Sequence, residues 1–291
     1  MTLANTGFMR WTPGGTSSDI EDRRGGGGFS FGRGPQIGCG GAIILLVLSL
    51  LTGKNFFALF DGSGSGSAPV DQTSTAPVQQ SPEEAKQVEF ISDALDDVQN
   101  TFTQTLQQER IAYTRSKLVL FRDMTQTGCG VGQAQSGPFY CPEDQKVYLD
   151  LGFFDELRRR FGAPGDLAQA YVIAHELGHH VQNIVGTSKR VQDAMERDRR
   201  NANDYSVRLE LQADCYAGIW AHSAQQRNVL EAGDIEEAMG AAAAVGDDRI
   251  QKMSGRAVNP ESFTHGSAAQ RMEWFQKGFS SGQLRDCDTF R

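Results

Sequence analysis

Apolar positions along the chain follow two different periods. Between Glu83 and Glu109, residues Val88, Ile91, Leu95, Val98 and Phe102 recur three or four apart, which lays them on one helix face. KLVLF (117–121) and KVYLD (146–150) are short apolar runs separated by a glycine-rich loop, so they read as strands. Beyond Gly152 the spacing is helical almost to the end, without an internal repeat. YVIAHELGHHVQNIVG (171–186) predicts a helix that starts after Pro164-Gly165-Asp166 and stops at Gly186, and RLELQADCYAGIWAH (208–222) predicts another. The pattern predicts a folded unit over residues 84–291 of class α+β, helix-rich, with a small sheet packed on the first of these helices.

The front of the chain is a different material. It holds 16 of the 33 glycines within its first 66 residues. Residues 1–36 are polar, with Gly25–Gly28 unbroken, and read as a disordered tail. Residues 37–53 carry no charge over 17 positions, and after Lys54 and Asn55 the apolar character resumes as far as Phe60. Seventeen is the lower limit for spanning a bilayer core. With Lys54 snorkelling, residues 37–60 are expected to form one transmembrane helix. The late start, and the lack of a small-x-small site after Leu51, disfavour a cleaved signal peptide. Residues 61–83, rich in Gly, Ser, Thr, Gln and Pro, read as a flexible linker.

Charge divides in the same place. Residues 1–60 hold five of the 28 basic and three of the 36 acidic residues, which leaves 23 against 33 downstream, a net charge of −10. Such a surface repels phosphate backbones and no basic run of five occurs, so no nucleic acid partner is expected. Arg23, Arg24 and Arg33 precede the apolar segment, and positive flanks stay in the cytoplasm. The tail is therefore expected inside and the acidic domain outside.

The candidate chemistry lies in the two central helices. His175, Glu176 and His179 form H-E-x-x-H, whose four-residue spacing puts both imidazoles on one helix face, where they can share one zinc ion. Zinc lowers the pKa of a bound water to about 7, and a neighbouring carboxylate, here Glu176, can take its proton. The apolar neighbours Val172, Ile173 and Leu177 argue against two merely solvated histidines. In the second helix Glu210 and Asp214 also stand four apart. Glu210 is expected as the third ligand, and Asp214 as acceptor from the far nitrogen of a ligand histidine, which fixes its tautomer.

The longer pattern H-E-x-x-H-x-x-G-x-x-H is absent, because Gln182 and Val185 occupy its last two fixed positions. His180 points about 100 degrees away from His179 and is expected to pack rather than ligate. His222 carries little functional expectation. His265, after Pro260 and before a predicted helix with Met272, Trp274 and Phe275, is either a cap or core histidine or a donor to the oxyanion of an attacked carbonyl. Arg271 can hold that segment by pairing with a buried carboxylate.

These motifs together resemble a known family. The opening MRW with EDRRGGG, the hydrophobic segment, GPFYCPEDQKVYLD, HELGHH, ELQADCYAG, GDDRIQ and the closing CDTF are similar to the predicted neutral zinc metallopeptidases of bacterial membranes, over nearly the whole chain. HELGHH with ELQAD also resembles the wider gluzincin pattern. The resemblance implies a zincin-like domain with one zinc ion on His175, His179 and Glu210, Glu176 as general base, Asp214 orienting a ligand, and His265 before the last helix. It implies a single-pass protein of the bacterial inner membrane, its domain on the periplasmic side, cleaving peptides or unfolded proteins. In zincins an edge strand receives substrate as an added strand, and KVYLD is the expected edge. A zinc-binding scaffold without turnover and a zinc amidase acting on cell-wall amides use the same residues.

Four cysteines fall in the expected outer domain and one, Cys39, at the membrane segment. An even number outside the cytoplasm suggests two disulfides. The close spacing of Cys129 and Cys141 pairs them first, which leaves Cys215 to meet Cys287. No C-x-x-C favours thiolate ligation of a metal.

Overall fold

The computed structural model describes residues 11, 15–25, 80–161 and 165–291. These form β1 (Ile20–Asp22), α1 (Pro82–Gln108), β2 (Lys117–Phe121), β3 (Met124–Thr127), β4 (Gly130–Gln133), β5 (Phe139–Cys141), β6 (Lys146–Asp150) and α2 (Gly152–Phe161). Then follow α3 (Asp166–Ile184), α4 (Thr187–Arg197), α5 (Ala202–Gln226), α6 (Asp234–Ala244), α7 (Asp247–Met253) and α8 (Ala268–Ser281). The architecture is helix-rich α+β, and β2 and β6 coincide with the two predicted strands.

Local chemistry explains the elements. Ser81 caps α1 by accepting from the Glu84 amide at 3.1 Å, and Pro82 occupies the first turn, where no amide hydrogen is needed. The five apolar residues of the predicted stripe, Val88 to Phe102, are all buried. They face one side of the main sheet, which presents Leu118, Leu120, Val147 and Leu149 to the same core. Val119, Phe121 and Tyr148 point the other way and cover a smaller cluster with Cys141. This alternation is the two-residue period of a strand buried on both faces.

The main sheet has the order β1-β2-β6-β5. β1, β2 and β6 run parallel, whereas β5 pairs antiparallel with β6, opposing Phe139 to Tyr148 and Cys141 to Lys146. KVYLD is therefore an inner strand, paired on both sides, and not the expected edge. The outer position belongs to β5. Both predicted disulfides are formed, Cys129–Cys141 and Cys215–Cys287.

The other correction concerns the front of the chain. Residues 15–25, expected in a disordered tail, supply the far edge of the sheet, with Ile20 opposite Leu118 and Asp22 opposite Leu120. Their polarity is used up in ion pairs rather than solvated. Asp19 meets Lys117 at 2.8 Å as well as Arg115, and buried Arg24 bridges Asp22 at 2.6 Å and Glu84 at 3.0 Å. Trp11 packs edge-on against Phe90 of α1. The folded unit thus includes residues on both sides of the apolar segment.

The expected transmembrane anchor at 37–60 and residues 61–79 of the expected linker lie outside the described residues. Among the described residues no helix is long and apolar enough to cross a membrane. One hydrogen-bonded sheet cannot straddle a bilayer, because its strands would lie in different compartments. With β1 in register on β2, residues 20–22 and 118–120 lie on one side of any membrane.

Two outcomes follow from this packing. In a Cys39→Ser background, cysteines placed at the exposed positions Ser18 and Ser254 should share one fate toward a membrane-impermeant maleimide on intact cells, both labelled or both protected. One labelled and one protected contradicts the register. Gly218 of α5 lies so close to α8 that an added Cβ would stand 2.1 Å from the Phe275 carbonyl oxygen. Gly218→Ala is expected to cost about 1–3 kcal/mol in denaturant unfolding, as overpacking does, and an unchanged midpoint would contradict that contact.

Candidate metal centre

α3 is buried along most of its length between α1, α5 and α6, which is why its sequence is apolar nearly all round. It carries His175, Glu176 and His179, and α5 brings Glu210 against it. Gly178 permits that approach, since a Cβ there would lie 3.0 Å from the Ala213 carbonyl oxygen. His175 Nε2 lies 3.2 Å from Glu210 Oε2, and His179 Nε2 lies 3.4 Å from Glu210 Oε1. One ligand atom from each of the three residues lies within 4.8 Å of the others. Tetrahedral zinc, with bonds of about 2.0–2.2 Å, sets its ligand atoms about 3.3 Å apart. Two imidazoles and a carboxylate gathered this closely are a donor set that this ion takes.

Each imidazole is held from behind. His175 Nδ1 pairs with Asp214 Oδ1 at 2.8 Å, and His179 Nδ1 faces Gln182 Oε1 at 2.8 Å. Asp214 has no solvent exposure and receives Arg271 Nε at 2.8 Å, Arg271 Nη2 at 2.9 Å and the Tyr171 hydroxyl. Arg271 thus finds the buried carboxylate that the sequence suggested for it.

Burial and charge pull these groups in opposite directions. Burial works against the charge on His175, yet Asp214 and Glu210 raise its imidazole to about 9. His179 is raised against burial by Glu210. Burial would lift Glu210 too, but the two imidazoles hold it well below the usual carboxylate range. Glu176 is buried at the same face, and its desolvation raises it above an ordinary glutamate. A carboxyl shifted upward is a stronger base, when ionised, than an ordinary glutamate.

His265 stands beside this cluster, close enough for its charge to act on Glu210. Its partner is Asp247 at the start of α7, a residue the sequence reading did not single out. Asp247 Oδ1 lies 3.2 Å from His265 Nδ1, and Oδ2 accepts the backbone amides of Thr264, His265 and Gly266 at 2.7, 2.7 and 3.2 Å. Burial opposes the charge on His265, but Asp247 and Glu210 raise its pKa. Only the run GDDRIQ pointed to Asp247, without a role. His265 also opens into a cavity of about 200 Å³ that Arg256, Asn259 and Ser262 line. His180 is buried, bonded to the Tyr140 hydroxyl and the Thr114 carbonyl, and burial lowers its pKa. His222 is bonded to the Phe279 carbonyl, in a helix contact away from the cluster.

The chain matches known proteins over most of its length. A family model described as "Putative neutral zinc metallopeptidase" matches residues 9–290. The uncharacterized protein YpfJ of Escherichia coli K12 is 46% identical over 286 residues, covering 97% of this chain and 99% of the relative. An uncharacterized protein of Mycobacterium tuberculosis H37Rv is 47% identical over 189 residues, covering 61% of this chain and 63% of the relative. No solved structure matches the chain.

The charge state of the cluster makes metal binding pH-dependent. With His175 raised to about 9, its imidazole is protonated at neutral pH, and a metal must displace that proton. Zinc affinity is expected to rise at least about tenfold per unit between about pH 6.5 and 8, read by chelator competition. An affinity flat across that window would contradict the proton count.

Proposed function

The chain belongs to the neutral zinc metallopeptidase family, and from that premise we propose that it hydrolyses peptide bonds with His175, His179 and Glu210 holding one zinc ion. The observation that carries this is the convergence of those three side chains beside a buried carboxyl, Glu176, whose pKa is raised. Zinc, when bound, supplies a polarised water and a Lewis acid for the carbonyl under attack. Glu176 takes the proton of the attacking water and passes it to the departing amine. His265, its Nδ1 held toward Asp247, offers its other nitrogen as donor to the developing oxyanion. Arg271 keeps Asp214 ionised, and Asp214 keeps His175 in the tautomer whose Nε2 faces Glu210.

Substrate of extended conformation is proposed to add to β5. That strand pairs with β6 on one side and has no other strand partner among the described residues. It is tied to α3 by the Tyr140 hydroxyl, which accepts from Asn183 Nδ2 at 3.1 Å and pairs with His180 Nδ1 at 2.9 Å. Main-chain bonding along such an edge favours peptides and unfolded segments with modest sequence preference. The unit is proposed to work at the bacterial membrane and outside the cytoplasm. Two disulfides support the compartment, and the charge-free run of residues 37–53 supports the membrane.

Glu176→Gln keeps shape and hydrogen bonding while removing the base. It is expected to retain zinc and to lose about 10²–10⁴-fold in cleavage of an unfolded protein substrate. Full cleavage by the variant would refute the mechanism, and zinc without cleavage in the unaltered protein would favour the scaffold.

A further inference from the structure

Asp214 behind His175 follows the expected pattern of a carboxylate steering a ligand imidazole. The group behind His179 is of another kind. Gln182 is completely buried, one turn beyond His179 on α3, and its amide nitrogen donates to the Leu209 carbonyl at 2.7 Å and to Gln212 Oε1 at 3.2 Å. Gln212, also buried, donates its own amide to the Cys287 carbonyl at 2.9 Å. Cys287 is tied to α5 through its disulfide with Cys215.

This chain of amides has one direction. A backbone carbonyl only accepts, so Cys287 fixes which end of Gln212 is nitrogen and turns its oxygen toward Gln182. The Leu209 carbonyl and the Gln212 oxygen then claim both amide hydrogens of Gln182. Its oxygen is left to face His179 Nδ1 at 2.8 Å. An acceptor there requires a hydrogen on Nδ1, and Nε2, 3.4 Å from Glu210 Oε1, is left with its lone pair toward the cradle.

We propose that Gln182, oriented by Gln212, is the positioning residue that holds His179 in its metal-binding tautomer. The proposal rests on the zinc reading of the site. A neutral amide does for one ligand what an ion pair does for the other. The second ligand therefore gains its orientation without a second charge behind the cradle, where Asp214 already needs Arg271 to balance it.

The test is zinc affinity by chelator competition on the full chain, with cleavage left aside. Gln182→Met keeps the length and removes the acceptor, and is expected to weaken zinc binding about 10–100-fold. Gln212→Met is expected to weaken it less, since Gln182 can then turn but still offers an oxygen. In the zinc-loaded unaltered protein, ¹⁵N-resolved NMR of the imidazoles should show His179 protonated on Nδ1 with the metal on Nε2. That reading needs no variant, so it decides the matter if Gln182→Met fails to fold. A Gln182→Met affinity equal to that of the unaltered protein, or metal on Nδ1 of His179, would overturn the proposal and leave the zinc reading standing. Absence of zinc binding by the unaltered protein would overturn both.

Discussion

The buried ion pair of Asp214 with Arg271 is the constraint on which the rest depends. Neither side chain has meaningful contact with water, with exposures of 0% and 4%. Ionised groups removed from water are stable only when paired and fully hydrogen-bonded. Here the pairing is complete: Asp214 takes the His175 imidazole, the Tyr171 hydroxyl and two guanidinium nitrogens, while Arg271 also reaches the Val245 carbonyl at 3.3 Å. The contacts come from α3, α5, α8 and the end of α6. Removing one partner of such a pair costs about 3–5 kcal/mol, so the four segments hold one arrangement. The metal cradle is a by-product of that arrangement, because His175 and Asp214 belong to both.

Packing carries the constraint outward. α8 lies against α5 with backbone touching backbone at Gly218 and Gly278, and the Cys215–Cys287 bond closes the same interface. The start of α8 is fixed by a capping box between Ser267 and Gln270. That places the 264–266 turn over Asp247, whose amide in turn donates to the Gly266 carbonyl at 2.9 Å. On the opposite side of α3, Tyr140 anchors the outer strand β5. The cluster is thus bordered by the His265 imidazole, and the helix that carries two of its residues is tied to the outer strand through His180 and Asn183.

Much of this was legible in the chain because helical periodicity is a local signal. HELGHH and ELQAD each hold their residues at spacings that one helix face brings together, so the side chains destined for the cradle could be named before their helices were placed. The stripe Val88 to Phe102 and the strands 117–121 and 146–150 were legible for the same reason. The disulfides followed from an even cysteine count and one short spacing. What escaped was non-local. Nothing in DIEDRR (19–24) says that its charges are matched by Lys117, Arg115 and Glu84, about 60 to 100 positions away, so a strand looked like a tail. Strand order is equally silent in KVYLD, whose neighbours on both sides are set by topology. Asp247 lies 18 residues before His265, and only the turn between α7 and α8 joins them.

X-ray absorption on the zinc-loaded full chain tests the central claim most directly. The account predicts one zinc per chain, held by two imidazole nitrogens at about 2.0–2.1 Å and by carboxylate oxygen, with a position left for water. The imidazole signal should be halved when His179 is replaced by alanine. A sulfur in the coordination shell, or a shell unchanged in that variant, would contradict it.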